Sequence, residues 1–282
     1  QALIEEAWAA GGHGLSYVFS DQGLNKDTND KVARYVKARI AEKVNSKEDA
    51  EILTAFDHPI GTRRLVVDTG YYECFNRDNV TLVNVRANGI DRITERGIRL
   101  DDGSEYDVEL IIFALGFNAF RRALDSANIR NAEGLQPTDR STRGPRTQIG
   151  MMTAEFPNLF LPTGPGSPSV LGNFTIQNEY LMDWIGDCIA YMDERGLDTI
   201  EATTEAEDEW TRHCAELTDK ILRRQVENYM VHVNADGSRV FIPYVGGMNR
   251  YATQAPAIAR NDYEGFRFGQ VRAVSLEEAA GV

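Results

Sequence analysis

Two adjacent arginines, Arg63 and Arg64, are the residues whose type and placement best suit chemistry on an anion. They follow Pro59 and Gly61 and precede a short apolar run, so the sequence places them on a connection between elements. A guanidinium keeps its proton and offers several N–H donors, so it can clamp a phosphate or stabilise a developing oxyanion. Adjacent arginines are also common on solvated surfaces, and the pair alone leaves both interpretations open.

A glycine- and proline-rich segment over 164–169 is the second candidate site. It follows a predicted strand and precedes a long predicted helix, an arrangement that can aim backbone amides at an anionic ligand. Ser169 stands where a dinucleotide-binding fingerprint has its third glycine, and Pro165 and Pro168 lack the amides that a pyrophosphate would use. On spacing alone the segment is more typical of a structural turn.

Composition and motif searches exclude several classes of function. The sequence contains no GxGxxG, GxxxxGK(S/T) or GxSxG motif, which disfavours a self-contained Rossmann domain, P-loop or α/β-hydrolase. Its histidines and cysteines are scattered without ligand spacing, so no metal site is predicted. The formal net charge of −13 argues against nucleic acid as a partner, and no apolar run approaches the length of a membrane span. We therefore expect an acidic, globular, cytoplasmic protein.

The elements that must position these candidates change in character along the chain. Up to residue 55, apolar residues such as Val32, Val36 and Ile40 recur at helical spacing, which predicts packed amphipathic helices. After Pro59, short apolar runs separated by Asn-Gly and Asp-Gly dipeptides predict strands. These strands cover 65–67, 80–85, 97–100 and 109–114, and the last has no alternation, as expected for a strand covered on both faces.

The second half of the chain is predicted to form further short strands and two long helices. A strand is predicted over 158–162, followed by the glycine-rich turn and a long helix that ends near Gly196. A second helix is predicted to open with Thr204 and Glu207 in capping-box spacing. The apolar stripes of both helices predict that each packs against other elements.

Several stretches, in the order in which they occur, resemble the class B flavin monooxygenases and their Baeyer–Villiger branch in particular. They run from a helical segment, Glu6-Ala-Trp-Ala-Ala-Gly-Gly12, to a C-terminal Gly-Phe. Each motif is modest alone, but the ordered combination is specific. The others are Gly61-Thr-Arg-Arg-Leu65, Asp68-Thr-Gly-Tyr-Tyr-Glu-Cys-Phe-Asn-Arg-Asp-Asn79, Phe113-Ala-Leu-Gly-Phe117, Phe156-Pro-Asn-Leu-Phe160, Gly164-Pro-Gly-Ser-Pro168 and Tyr263-Glu-Gly-Phe266.

The resemblance implies an α/β fold with the two-dinucleotide-binding-domain architecture of these flavoproteins, present here only as its C-terminal half. Residues 1–55 resemble part of the helical insert, 56–115 the returning part of the NADP domain, and 116–282 the returning part of the FAD domain. The family's Gly-rich dinucleotide loops lie in its N-terminal half, and this sequence begins with Gln1. The resemblance therefore implies a second polypeptide that carries those loops, as a natural subunit or as the missing piece of a cut chain.

The implied reaction uses FAD, NADPH and O2 to convert a ketone to an ester or lactone. Arg64 aligns with the arginine that stabilises the oxyanions of this reaction. Arg63 aligns with a basic position that reads the 2′-phosphate of NADPH. Gly116 and Phe117 mark the crossover near both cofactors, where their role is positional.

The remaining implied site residues belong to the FAD domain. The resemblance places the loop of Gly164, Gly166 and Ser167 beside the flavin, and it places Leu171, Asn173 and Phe174 along the flavin or substrate pocket. Asn228 stands where many relatives carry tryptophan, and it retains the ability to hydrogen-bond a ribose hydroxyl.

Two other functions stay open on the sequence. One is a different class B activity, in which oxygen is transferred to sulfur or nitrogen. The other is a remnant that binds a partner without catalysis.

Overall fold

A computed structural model describes residues 1–116, 122–140, 144–168 and 172–270, without the side chains of Arg122 and Ala123. The chain divides into two compact units, one up to residue 117 and one from residue 118 onward. Within the described ranges, none of the helices combines the length and the apolar character that crossing a bilayer requires.

The first unit begins with helices that pack on a small core. They are α1 (Ala2–Ala10), α2 (Lys26–Ala41) and α3 (Lys47–Thr54), with a short 3₁₀ turn at Gly12–Ser16. Asn25 caps α2 by accepting the N–H of Asp27, and Ser46 caps α3 by accepting that of Asp49. Val32 and Ile40 are buried on one face of α2, so the predicted amphipathic helix is confirmed.

The first unit also contains an antiparallel sheet of β1 (Ile90–Ile93), β2 (Gly97–Leu100) and β3 (Glu105–Asp107). The predicted strand over 97–100 is confirmed as β2. The Asp-Gly dipeptide turns β2 into β3, and the Asp102 carboxylate accepts the N–H and the hydroxyl of Ser104. These bonds lower the pKa of Asp102 to about 2.

Three other strand predictions for this unit are wrong. Residues 65–67, 80–85 and 109–114 have no β-pairing among the described residues. The third run is strongly apolar yet open to solvent: Leu110 is 75% exposed, Ile112 81% and Leu115 89%. A non-alternating apolar run indicates burial on both faces, but a strand forms only where neighbours accept and donate its backbone hydrogen bonds. The described residues of this unit supply no such neighbour.

The second unit is built on three helices, α5 (Phe174–Glu194), α6 (Thr204–Thr218) and α7 (Met248–Arg260), with a short α4 (Arg122–Ala127) before them. Two antiparallel pairs accompany them: β4 (Thr199–Ala202) with β7 (Phe266–Gly269), and β5 (Val231–Val233) with β6 (Arg239–Phe241). The buried core includes Met151, Leu181, Ile200 and Tyr251. The predicted strand over 158–162 is wrong, since only Phe160 makes an isolated bridge, with Met152.

Helix α6 begins one residue earlier than its capping-box spacing predicts. The hydroxyl of Thr203, not that of Thr204, accepts the N–H of Ala206 at 3.2 Å. Glu207 is fully buried and binds Arg140 instead of reaching back to the cap. The local spacing therefore located the helix start, while a distant arginine decided where the glutamate points.

Candidate functional site

Arg63 and Arg64 lie on an irregular segment of the first unit, and both residues are exposed. Neither has a hydrogen-bond or ion-pair partner within the described part of the chain. The segment pairs with no described strand, so its shape must come from what holds its two ends.

Asn29 holds the end that precedes the arginines. Its side-chain oxygen accepts the N–H of Ile60 at 2.8 Å, and its amide nitrogen donates to the carbonyl of Ile60 at 2.9 Å. Asn29 is 1% exposed, so this pairing is shielded from water. The sequence reasoning missed Asn29. The available signal was a polar residue three positions before Val32 on the apolar face of α2.

Lys43 holds the other end by binding Asp68 at 2.5 Å and Glu73 at 3.1 Å. Asp68 also accepts the backbone N–H groups of Gly70 and Tyr71. The hydrogen bond from Lys43 is the main cause that lowers the pKa of Asp68, and the bond to Asp68 is the main cause that raises the pKa of Lys43. The two arginines therefore sit between two fixed points.

The glycine-rich loop of the second unit, residues 164–168, is a turn whose backbone amides are already hydrogen-bonded. Pro165 and Pro168 have no N–H, and the other amides each donate to a backbone carbonyl. The donors and acceptors are Gly164 to Leu161 at 2.8 Å, Gly166 to Ile242 at 2.8 Å, and Ser167 to Gly164 at 3.0 Å. The loop thus has no free amide for a phosphate, as the two prolines indicated. Its contribution to a site is its shape.

Trp210 on α6 supports this loop from behind. Its indole N–H donates to the carbonyl of Gly166 at 3.1 Å, and its ring stacks on Tyr244 with centroids 5.2 Å apart. Gly166 has φ 77°, and a Cβ there would lie 2.9 Å from the indole nitrogen. The loop and the helix can therefore meet this closely only with glycine at 166. In the sequence, nothing distinguishes Trp210 from the other apolar residues on the stripe of α6.

The start of α5 presents apolar surface close behind the loop in sequence. Asn173 caps the helix by accepting the N–H of Ile176 at 3.2 Å, so its side chain has a local structural role. Phe174 is 50% exposed and Ile176 61% exposed. Leu171, predicted to line the same pocket, lies outside the described residues.

The remaining two predicted positions are Gly116 with Phe117, and Asn228. Gly116 has φ 86° at the end of the exposed apolar run, and Phe117 lies outside the described residues. Asn228 uses its amide nitrogen to donate to the carbonyls of Arg223 and Val226. A contact from those N–H groups to a ribose would require this loop to rearrange.

No family model matches the sequence. Over 270 residues the chain is 34% identical to the cyclohexanone 1,2-monooxygenase of an Acinetobacter species, covering 94% of this chain and 49% of that protein. Over 267 residues it is 33% identical to the Baeyer–Villiger monooxygenase of Pseudooceanicola batsensis, covering 93% and 48%. The chain matches the C-terminal half of the Baeyer–Villiger monooxygenases. It spans about half the length of the curated relatives of this family that it resembles.

Solved structures of similar proteins also match this chain over about half of their own length. The fold superposes on OTEMO in complex with FAD and NADP with a TM-score of 0.89 at 32% identity, covering 95% of this chain and 50% of that one. It superposes on an oxidised steroid monooxygenase bound to NADP with a TM-score of 0.87 at 37% identity, covering 96% and 51%. The expected α/β architecture, present as one half, is thereby confirmed. A phenazine N-monooxygenase of Lysobacter antibioticus is also 32% identical, over 94% of this chain and 49% of that enzyme.

Proposed function

We propose that this chain supplies one half of an NADPH- and FAD-dependent Baeyer–Villiger monooxygenase, which converts a ketone to an ester or lactone with O2. The observation that carries the proposal is the pair Arg63 and Arg64, exposed and unpartnered on a segment held at both ends. An unpaired guanidinium in a fixed place is a ready partner for an anion, whereas a merely solvated pair needs no such anchoring.

The residues present fit part of what the two cofactors require. The Arg63 guanidinium suits the 2′-phosphate of NADPH, because it is permanently charged and offers forked donors. The exposed ring of Phe174 suits an apolar face of the flavin. The loop over 164–168 offers no free backbone N–H to the pyrophosphates, because its amides already donate to backbone carbonyls. In the proposal, a second polypeptide makes the contacts to the pyrophosphates.

Arg64 is the catalytic residue of the proposal. When bound, FAD reduced by NADPH activates O2 for insertion beside the carbonyl. Arg64 orients the ketone oxygen and neutralises the negative charge that develops on it, without exchanging a proton itself.

The proposal includes a second, cytoplasmic polypeptide that corresponds to the N-terminal half of the relatives. Support comes from the run 109–116, whose apolar side chains are exposed and whose backbone pairs with no described strand. Contiguous exposed apolar surface of this kind is typical of an interaction surface. The chain covers about half of the length of each relative.

The test is reconstitution from two polypeptides. The chain is co-expressed with the N-terminal half of its Acinetobacter relative, and the purified complex is assayed for flavin absorbance, NADPH consumption and ester formation from cyclohexanone. We expect a yellow complex that forms the lactone, and a colourless chain when it is purified alone. A colourless mixture in which the two polypeptides elute separately would contradict the proposal.

Arginine variants of the complex separate the two roles. Arg64→Ala should lower kcat by about 10²–10³-fold, as expected for loss of a charge-stabilising donor. Arg63→Ala should raise the KM for NADPH with a smaller effect on kcat. Arg34→Ala removes another exposed arginine of the first unit and should leave both parameters unchanged. Equal effects at all three positions would show that only net charge matters.

A second candidate function is N-oxygenation, because the phenazine N-monooxygenase is as similar over the same share of the chain. Supplying the reconstituted complex with cyclohexanone and with a phenazine separates the two. Formation of only the N-oxide would favour this second activity. Two polypeptides that elute together as a colourless complex and consume no NADPH would favour a non-catalytic binding subunit.

A further inference from the structure

A pocket of about 780 Å³ opens in the second unit between α6 and α7. Its walls include residues of both helices, and its floor includes Gln148, Ile149 and Trp210. The volume lies in the range of small-molecule sites. The proposed oxygenation makes no use of this pocket.

Gln148 indicates that the pocket takes a hydrogen-bonding ligand. The residue is 6% exposed, yet its side-chain amide has no hydrogen-bond partner among the described residues. Its amide nitrogen would lie 2.7 Å from a Cβ built on Gly265, so glycine at that position leaves room for it. The atoms of this amide are not enclosed by protein and the residue lines the pocket, so the amide can hydrogen-bond a group bound there. A polar ligand atom would satisfy it.

The charged residues that line the pocket indicate the sign of the charge that a ligand would carry. Glu205, Glu209 and Glu264 line it as exposed carboxylates. Arg212 also lines it, but its guanidinium is shared between Glu209 at 3.7 Å and Glu216 at 3.0 Å. The lining is therefore net negative, which favours a cation.

Two ring systems shape the interior. The Trp210 indole lines the pocket beside Ile149, and the face of an indole attracts cations as well as apolar groups. The His213 ring lies 5.4 Å from that of Trp210, and its buried Nε2 atom has no hydrogen-bond partner among the described residues. Burial, followed by the nearby Arg250, lowers the pKa of His213, so the imidazole adds no positive charge at neutral pH.

We propose that this pocket binds a small organic ammonium ion. Its apolar body packs on Trp210 and Ile149, its charged group lies among the carboxylates of Glu205, Glu209 and Glu264, and the Gln148 side chain lines the same pocket. The proposal is independent of the monooxygenase function, since it rests on residues that the oxygenation does not use.

The test is a calorimetric titration of the purified 282-residue chain with 2-phenylethylammonium chloride. The neutral 2-phenylethanol and the anionic 3-phenylpropionate are titrated at the same ionic strength. We expect saturable binding of the ammonium ion, quenching of tryptophan fluorescence, and at least about tenfold weaker binding of the alcohol, given several weak charge contacts. No saturable heat up to millimolar concentrations, or equal affinity for the alcohol, would overturn the proposal.

Variants separate the pocket from the general negative charge of the chain. The triple variant Glu205→Gln/Glu209→Gln/Glu264→Gln should lose the binding. The matched control Glu48→Gln/Glu51→Gln/Glu194→Gln removes the same charge from exposed positions outside the pocket and should retain it. Gln148→Met keeps the volume, removes the amide and should weaken binding several-fold in a chain with unchanged circular dichroism. Equal loss in the charge control would overturn the assignment of the site, even if Gln148→Met fails to fold.

Discussion

The indole N–H of Trp210 donates to the carbonyl oxygen of Gly166 across 3.1 Å, which ties helix α6 to the loop over 164–168. Gly166 takes a φ of 77°, and the space where its Cβ would stand is occupied by the same indole. Helix α6, which begins almost forty residues after Gly166 in sequence, therefore helps to fix the shape of the loop.

Gly166→Ala should destabilise the second unit more than an ordinary glycine replacement. A left-handed backbone alone costs an alanine about 1–2 kcal/mol, and the clash with Trp210 adds to it. Gly237→Ala is the matched control, because Gly237 has φ 79° and nothing within 4 Å of its Cβ position. Denaturant unfolding followed by circular dichroism measures both. Equal losses would show that the Trp210 contact adds no strain.

Asn29→Ala should loosen the turn that precedes Arg63. It leaves the N–H and the carbonyl of Ile60 buried without partners, which costs about 1–3 kcal/mol per group. Hydrogen exchange of the peptide containing Ile60 should accelerate, while peptides of the second unit keep their protection. Asn45→Ala, at an exposed position, should change neither the exchange of the Ile60 peptide nor the protection of the second unit. Unaltered protection at Ile60 would contradict the role given to Asn29.

The buried ion pair of Glu207 and Arg140 should be sensitive to the loss of one partner. Glu207 is fully buried and also accepts the N–H of Ala154 at 3.1 Å. Glu207→Gln removes the buried counter-charge of Arg140, but Glu155 still contacts this guanidinium at 3.2 Å, so the cost should stay below the roughly 3–5 kcal/mol of a fully broken buried pair. Thermal unfolding should show a clear drop, against almost none for the exposed Glu216→Gln. A drop of similar size in both variants would argue against a special role for burial.

The ion pair of Lys43 and Asp68 should contribute stability only within a pH window. The pKa of Asp68 is lowered from 3.8, so its contribution is present above that value and is lost as pH falls through the lower folded pKa. The pKa of Lys43 is raised from 10.5, so its contribution is present below that value and is lost as pH rises through the higher folded pKa. Since both side chains are partly exposed, the effect should be about 0.2–1 kcal/mol.

Unfolding of wild type and Lys43→Met across pH measures this window. The difference between the two should be largest near neutral pH and should shrink at both extremes. Lys47→Met is the control, because its contact to Glu51 spans 3.9 Å between exposed side chains. A difference for Lys43→Met that does not change with pH would mean that the pair contributes through packing alone.

The thiols should differ sharply in reactivity. Burial raises the pKa of Cys188 and of Cys214 to about 12, whereas Cys74 is only partly buried. Titration with a thiol reagent at about pH 8 should therefore modify Cys74 alone in the folded chain and all three cysteines after unfolding. Mass spectrometry of digested peptides assigns the sites. Rapid modification of Cys188 would show that the core around α5 opens readily.

Local rules were enough for most of the helices and one turn. The start of α6 was predicted to within one residue, and the Asp-Gly turn between β2 and β3 was predicted correctly, because caps and turns depend on residues close together in sequence. The strands were predicted less well. A strand needs neighbours, and the run 109–114 has every local mark of one without any described partner.

The sequence by itself determined which family the chain resembles, the order of the motifs and the position of the arginines, because each of these depends only on residue types along the chain. Only the tertiary structure showed that Asn29 and Lys43 hold the segment of Arg63 and Arg64, and that Trp210 shapes the turn at Gly166. It also showed that the backbone amides of this turn already donate to backbone carbonyls. The physical reason is that such contacts join residues distant in sequence, so their partners become visible only once the chain has folded.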